Sequence, residues 1–268
     1  MIVLNRLKDG KKFAVTMSYD DGSENDRPLI ELFNKYGIRG TFHVNSGNFH
    51  NPKKIQPEEF ATLYKNHEIS CHGERHRTMQ VLPSMNVIQE ILTDRQNLEA
   101  ITGEIIRGMS YANGSYNEDI IKTLSACGIV YARTVKSTNY FSFPENFMEW
   151  HPTCHHRECL AMAEKFMTMT ERKYFSKPLL LYVWGHSYEF NNEEEWAKIE
   201  QFCQMVGSRE DIWYATNIEI YEYITAQRQL VISVDNKTVY NPTALEIWFT
   251  DDNAEEYSIK PGETLKLG

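Results

Sequence analysis

Three groups of acidic residues and histidines each follow a hydrophobic segment with the length of a buried strand. The groups are Asp20 with Asp21, His72 with His76, and His186. In α/β barrels the catalytic residues gather at the carboxyl ends of the strands, so we expect the three groups to lie together. This pattern predicts a metal-dependent hydrolase.

The residue types within each group indicate different tasks. Asp20 and Asp21 diverge as they leave their strand, so one carboxylate can bind a cation while the other stays free. His72 and His76 are four residues apart, which lets both imidazoles reach one ion from a helical turn or a tight loop. A carboxylate with two imidazoles leaves positions open for water and substrate, as a catalytic divalent metal requires. His186 follows a different strand and can act as an acid across the site.

Strands and helices alternate along most of the chain. The predicted core strands are residues 13–18, 40–44, 68–71, 105–109, 129–132, 179–184 and 213–215. Helical spacing of apolar residues predicts helices between them, among them a helix from about Arg157 to Tyr174. Residues 137–156, which precede that helix, have the composition of a loop. Repeated strand–helix units imply parallel strands with right-handed crossovers. Seven or eight such units are enough to close a barrel, and an open doubly wound sheet is the alternative.

The pattern changes at residue 229. Residues 230–234, 245–249 and 264–267 alternate or are β-branched, and turn residues separate them. We therefore predict a barrel over residues 1–228 and a small antiparallel β extension over residues 229–268, packed on the barrel because it is too short to fold alone.

Composition limits the possible partners. The chain has 268 residues, enough for one large domain, and a formal net charge of −9. An acidic chain argues against nucleic acid or an anionic membrane as the main partner. The five cysteines are odd in number and scattered, which predicts reduced, buried thiols. Without an apolar leader or a spanning hydrophobic run, the expected location is the cytoplasm.

The three groups and their order resemble the motifs of the polysaccharide deacetylase family, the NodB-type deacetylases of carbohydrate esterase family 4. Ser18–Gly22 (Ser-Tyr-Asp-Asp-Gly) is similar to the family's Thr-Phe-Asp-Asp-Gly motif. His72–His76 is similar to its His-Ser/Thr-x-x-His motif, and the hydrophobic strand that ends in His186 is similar to its late motif. The resemblance extends over roughly residues 10–225.

This resemblance implies a distorted (β/α)7 barrel and one divalent metal, zinc first, with iron, cobalt, nickel or manganese as alternatives. By position, Asp21, His72 and His76 would be the metal ligands. Asp20 would be the general base that takes a proton from the attacking water. His186 would be the general acid that protonates the leaving amine or alcohol, and the metal would polarise the acyl carbonyl.

The chain departs from the family in two motifs. Ser110–Gly114 aligns with the third motif, Arg-x-Pro-Tyr-Gly, so that Ser110 takes the arginine position and Asn113 the tyrosine position. We expect the backbone N–H of Asn113 to serve as an oxyanion donor. We also expect Arg133, at the end of the next strand, to replace the missing arginine beside Asp20. No fourth motif of the Asp-x-x-Asp-Trp type is visible.

The predicted function is hydrolysis of an N-acetyl or O-acetyl group on a carbohydrate or a sugar-like, small acylated substrate. Two alternatives stay open: an amidohydrolase acting on small cyclic amides, and a degenerate barrel that binds carbohydrate or metal without turnover. The oligomeric state is left open. His151, His155 and His156 have metal-like spacing, but their loop context favours hydrogen-bonded structural histidines, with a minor alternative that one of them lines the substrate cleft.

Overall fold

A curled parallel sheet forms the centre of the structure, a computed structural model that describes residues 1–172 and 177–267. Its strands are β1 Phe13–Asp20, β2 Gly40–Val44, β3 Glu68–Cys71, β4 Gly108–Ser110, β5 Tyr131–Arg133, β6 Cys154–His155, β7 Leu179–His186 and β8 Ile212–Tyr214. The spatial order is β5-β4-β3-β2-β1-β7-β6, and β8 pairs with the beginning of β1. The predicted parallel barrel architecture of seven strands is confirmed, with β8 outside this path.

The central strand is β1, and all eight of its residues are buried. A parallel strand covered on both faces is usually apolar throughout. Here Thr16, Ser18 and Asp20 are buried polar residues, and the side chain of each is hydrogen-bonded. Strand β7 pairs with β1 over its whole length, from Phe13 opposite Leu179 to Asp20 opposite His186. The pairing brings the first and last of the predicted catalytic groups side by side at the carboxyl ends of neighbouring strands.

Seven helices, counted over the described residues, cover the sheet. They are α1 Asp26–Lys35, α2 Phe60–Leu63, α3 Ser84–Thr102, α4 Glu118–Ala126, α5 Cys159–Thr170, α6 Glu193–Val206 and α7 Asn217–Arg228. The side chain of Asn192 caps α6 by accepting a hydrogen bond from Glu195 N at 3.0 Å, which satisfies a helix N–H that has no partner within the helix. Helix α5 ends at Thr170, and its predicted end at Tyr174 lies outside the described residues.

The segment predicted to be a loop before α5 contains a short strand and joins the two edges of the sheet. Trp150 N donates to Ala132 O in β5, and Thr153 N donates to Tyr182 O in β7. Strand β6 follows with only two residues, too few to show any periodicity in the sequence. Strand β5 also begins two residues later than predicted, because Ile129 N still closes the end of α4 on Leu124 O.

The C-terminal residues form two antiparallel sheets. One contains β9 Val231–Ile232, β10 Thr238–Tyr240 and β13 Thr264–Lys266, and the other contains β11 Ile247–Thr250 and β12 Glu256–Ile259. The predicted antiparallel extension is confirmed, although β10 and β12 were not predicted. Side chains of the extension share a hydrophobic cluster with the barrel, including Val239, Phe249 and Trp213. The boundary at residue 228 stays a prediction.

Two further sequence predictions concern cysteines and membranes. All five cysteines are buried and unpaired, and all lie in the described part of the chain. They are therefore the buried thiols that their number and scatter predicted. Among the described helices, none has both the length and the apolar character needed to cross a membrane.

Candidate metal centre

The side chains of Asp21, His72 and His76 converge at the carboxyl ends of β1 and β3. Their ligand atoms lie within 4.8 Å of one another. Asp21 Oδ1 is 3.7 Å from Nε2 of His72 and 3.7 Å from Nε2 of His76. The structure thus brings together the three residues that the sequence named as ligands. A carboxylate with two imidazoles is a donor set that suits zinc and other divalent transition metals.

The hydrogen bonds of His72 leave one ring nitrogen free for a metal. Its Nδ1 is 3.0 Å from the Ser110 carbonyl oxygen, which can only accept a hydrogen bond, so Nδ1 carries the proton. Its Nε2 is buried and has no hydrogen-bond partner among the described residues. Burial lowers the pKa of His72 and outweighs the opposite effect of the Asp20 and Asp21 carboxylates. His72 is therefore a neutral imidazole whose lone pair on Nε2 is not engaged in a hydrogen bond, the state that a metal ligand requires.

Two of these three side chains extend from strained backbone. Asp21 has φ 78° and His76 has φ 55°, both in the left-handed region that residues with a Cβ rarely adopt. Such conformations cost about 1–3 kcal/mol each and persist only where the surroundings hold them. For Asp21 the surroundings are His43 O, which accepts from Asp21 N at 2.8 Å, and Lys54 Nζ, which donates to Asp21 O at 2.7 Å. Both polar groups of the Asp21 backbone are therefore hydrogen-bonded, and these two contacts hold its conformation.

Asp20 lies behind this group, buried and held by two donors. Ser110 Oγ donates to Oδ1 at 3.0 Å, and Arg133 Nη2 donates to Oδ2. Burial alone would raise the pKa of Asp20, but the Arg133 guanidinium and then the nearby histidines hold it well below its usual range. The carboxylate is therefore ionised at every pH near neutrality.

Arg133 is fully buried beneath the site. Its guanidinium lies 4.3 Å from the centre of the Trp184 ring, and its Nη1 donates to Thr134 O at 3.1 Å. The contact with Asp20 is the one expected of an arginine that replaces the missing arginine of the third motif. Ser110 adds a contact that sequence reasoning missed, because its hydroxyl reaches Asp20 from the arginine position itself. In the register of β4 and β5, Ser110 pairs with Arg133, the other residue that donates to Asp20.

Asn113 takes part in a turn near this group. Its φ is 56°, and its exposed side chain donates from Nδ2 to Thr78 Oγ1 at 3.0 Å. With the side chain engaged there, the backbone N–H is the group left to act as an oxyanion donor. That role stays a prediction.

His186 lies beside Asp20, at the end of β7. Its Nδ1 is 2.8 Å from Glu189 Oε1, in the turn that follows the strand. Burial works against ionisation of Glu189, but the hydrogen bond from His186 and the nearby His155 and His156 lower its pKa. The carboxylate holds the His186 ring through Nδ1 and leaves Nε2 as the nitrogen for proton transfer. Sequence reasoning missed Glu189, although its position three residues after His186 was a usable signal.

Asp26 connects the turn after β7 to the first helix. Its carboxylate accepts from Ser187 Oγ at 2.5 Å and from Tyr64 OH at 2.8 Å. Burial raises the pKa of Asp26 to about 7, and the two hydrogen bonds offset only part of that effect. An acid that titrates near neutral pH therefore lies beneath the segment that carries His186.

The three histidines of the loop before α5 differ from one another. His151 Nδ1 is 2.6 Å from Thr134 Oγ1, a hydrogen bond of the predicted kind. His155 Nε2 is 3.4 Å from Glu189 Oε1. His156 differs from the prediction, since both of its ring nitrogens are buried without a hydrogen-bond partner among the described residues.

Comparison with known proteins identifies relatives by sequence. Residues 7–132 match the family model for polysaccharide deacetylase. A chitin deacetylase of Arthroderma benhamiae is 28% identical over 119 residues, which cover 42% of this chain and 31% of that protein. The chain thus spans less than a third of the length of this relative. The match confirms the family resemblance drawn from the motifs.

Solved structures show the same fold. A candidate polysaccharide deacetylase from Mycobacterium smegmatis superposes with a TM-score of 0.62 at 16% identity, over 85% of this chain and 96% of that one. A mutant of a Bacillus anthracis pseudoenzyme of carbohydrate esterase family 4 superposes with a TM-score of 0.51 at 16% identity, over 82% and 70% of the two chains. These likenesses confirm the NodB-type barrel, and the presence of a pseudoenzyme among them leaves activity to be argued from the site.

Proposed function

We propose, from the match of residues 7–132 to the polysaccharide deacetylase family model, that the chain is a metal-dependent deacylase. Its substrate would carry an N-acetyl or O-acetyl group on a carbohydrate or sugar-like molecule. The observation that supports this function best is the arrangement at the carboxyl ends of the strands. The ionised carboxylate of Asp20 and the oriented imidazole of His186 lie on paired strands next to three convergent metal-ligand side chains.

Each residue has a task that follows from its contacts. Asp21, His72 and His76 would hold the divalent ion, which supplies Lewis-acid polarisation of the acyl carbonyl when bound. The ionised Asp20 would accept a proton from the attacking water, with Ser110 and Arg133 fixing the orientation of its carboxylate. The donor set favours zinc, and iron, cobalt, nickel or manganese remain compatible with it.

His186 would complete the reaction. It would donate a proton from Nε2 to the leaving amine or alcohol as the tetrahedral intermediate collapses, while Glu189 retains the proton on Nδ1. Acid–base assistance of this kind is typically worth about 10²–10⁴ in rate. The backbone N–H of Asn113 would stabilise the oxyanion. A cytoplasmic location stays a prediction; it would favour a soluble acylated compound over a cell-wall polymer.

A catalytically inactive, carbohydrate-binding barrel is the second candidate, because the third motif is altered and a pseudoenzyme shares the fold. The contacts around Asp20 and His186 argue against it. A binding protein gains nothing from a buried carboxylate held ionised by Arg133, or from an imidazole held by Glu189. The deacylase therefore remains the better-supported function.

The test combines a metal count with a rate. Elemental analysis of purified protein should give about one tightly bound metal equivalent for the wild type and none for His72→Ala/His76→Ala, with the exposed His50→Ala as the control that keeps its metal. Asp20→Asn should keep the metal and lose at least about 10²-fold in turnover of acetylated sugars. A wild type that binds metal but hydrolyses neither acetylated sugars nor cyclic amides would favour the binding barrel. Full activity of Asp20→Asn would refute the role given to Asp20.

A further inference from the structure

A second group of metal-ligand side chains lies next to the candidate metal centre, at the carboxyl ends of β6 and β7. Ligand atoms of His155, His186 and Glu189 all lie within 4.8 Å of one another. Glu189 Oε1 is 2.8 Å from His186 Nδ1 and 3.4 Å from His155 Nε2. The three side chains are 18%, 20% and 13% exposed, so they are largely desolvated but still reachable from solvent.

His156 lies against the same carboxylate as this group. Its Nε2 is 3.5 Å from Glu189 Oε2, and the ring is buried with neither nitrogen hydrogen-bonded within the described residues. A buried polar atom without a partner is destabilising, and a ligand that coordinates it removes that cost. Gly185 makes room for the ring, because a Cβ at this position would lie 2.1 Å from His156 Nδ1.

We propose that His155, His186 and Glu189, with His156 as a fourth donor, bind a second divalent cation of the zinc type. Imidazole nitrogens with one carboxylate are the donors that zinc prefers after thiolates. On binding, the ion takes the place of the proton between His186 Nδ1 and Glu189 Oε1, and that proton is released to solvent. His155 Nδ1 accepts a hydrogen bond from Arg157 N at 3.4 Å. Coordination through Nε2 moves the ring proton to Nδ1, so His155 loses only this weak hydrogen bond when it binds the ion.

The exposed side chain of Arg157 makes this second site weaker than the first. Its guanidinium pairs with Glu189 Oε2 and is 71% exposed, so it can swing into solvent when a cation binds. Until it does so, it competes for the only carboxylate of the site. The first site, by contrast, has Asp21 available to both imidazoles. We therefore expect the second site to have the lower affinity, so that in the wild type it fills after the first as Zn²⁺ is added.

The consequence for catalysis depends on the proposed role of His186. An imidazole that carries an ion on Nδ1 no longer has the second proton that makes it a general acid. Zinc beyond the first equivalent is therefore expected to inhibit hydrolysis.

An isothermal calorimetry titration of the metal-free protein with Zn²⁺ tests the site without any substrate. The wild type should bind about two equivalents, and His155→Ala should bind about one. His72→Ala/His76→Ala should also bind about one, at the weaker site. The exposed His50→Ala should bind two, as the matched control for loss of a histidine.

One equivalent in the wild type would overturn the proposal, as would two equivalents that His155→Ala leaves unchanged. His155→Gln provides a second variant of similar size in case the alanine variant misfolds, and circular dichroism verifies folding. Hydrolysis assays over the same Zn²⁺ range then test the proposed deacylase function separately from the second metal site. A second equivalent without any hydrolysis at either stoichiometry would refute the proposed function and leave the second site standing.

Discussion

Replacement of Arg133 by methionine tests whether the buried ion pair beneath the site supports both the fold and the general base. Arg133 has no solvent-exposed side-chain surface, and Asp20 is 3% exposed. Methionine fills much of the same space but cannot pair with the carboxylate. The variant leaves the Asp20 carboxylate charged and unpaired in a buried position, and an unpaired buried charge is strongly destabilising.

The expected loss in the free energy of unfolding follows from three contacts. Breaking a buried pair by removing one partner costs about 3–5 kcal/mol. The stacking on Trp184 and the hydrogen bond to Thr134 O are worth about 1 kcal/mol each. These contributions overlap, so we expect a total of about 3–5 kcal/mol at pH 7.5.

Urea unfolding of the metal-free proteins, followed by circular dichroism, measures this loss without a contribution from metal binding. Arg107→Met is the matched control, because Arg107 pairs with Glu222 at the surface, where both side chains are more than a third exposed. Pairs of that kind are worth about 0–1 kcal/mol. Asp20→Asn/Arg133→Met should recover most of the loss, because the stranded charge is then absent.

The pH dependence has a definite sign. In the wild type the pKa of Asp20 lies below its usual value, so the stability it contributes is present above about pH 4 and is lost as the pH falls further. Without Arg133, burial dominates and raises the pKa of Asp20, so protonation relieves the variant as the pH falls from 7 towards 4. The difference in free energy of unfolding between the wild type and Arg133→Met should therefore become smaller over that range. An Arg133→Met variant no less stable than Arg107→Met, or a gap that stays constant with pH, would refute this reasoning.

Substitutions at Asp26, Gly185 and Ser110 also have expected outcomes. Burial raises the pKa of Asp26 to about 7, so the stability tied to its protonated form is lost as the pH rises from about 4 through 7. The melting temperature of the wild type should therefore fall between pH 5 and 8. Asp26→Asn should make this fall smaller, because the amide does not titrate. Gly185→Ala should cost about 1–3 kcal/mol in urea unfolding, and adding His156→Ala should restore most of it by removing the ring that the new Cβ meets. Ser110→Ala should cost about 1–3 kcal/mol, since Asp20 Oδ1 loses a buried donor, whereas Ser110→Thr should cost less.

Much of the site could be predicted from the sequence because it follows a rule that needs no side-chain coordinates. Apolar runs identified the buried strands, and parallel strands bring their carboxyl ends to one edge. Asp20, Asp21, His72 and His186 each follow such a run, so their proximity was predictable. Arg133 was predictable for the same reason, as a cation at the end of the strand next to the altered third motif.

The supporting contacts were harder to predict because they depend on register and on short turns. Ser110 reaches Asp20 only because β4 and β5 pair at Ser110 and Arg133, and a strand of three residues gives no pattern from which to infer that register. Glu189 lies in a single turn after β7, where acidic residues are common. The segment just before β6 is held by hydrogen bonds from Trp150 and Thr153 to β5 and β7, and β6 itself pairs with β7; local sequence patterns do not report such contacts.

The full-length pairing of β1 with β7 makes the spacing of Asp20 and His186 independent of the conformation of the loops. Eight consecutive register pairs fix Asp20 and His186 relative to each other through backbone hydrogen bonds, whereas the third-motif segment around Asn113 and the segment before β6 are irregular. Loops can therefore be lengthened, shortened or exchanged without changing the spacing of the proposed base and acid. A loop graft from a relative with another substrate should transfer specificity and leave the proton-transfer geometry of the recipient intact, which makes this barrel a modular scaffold for engineering.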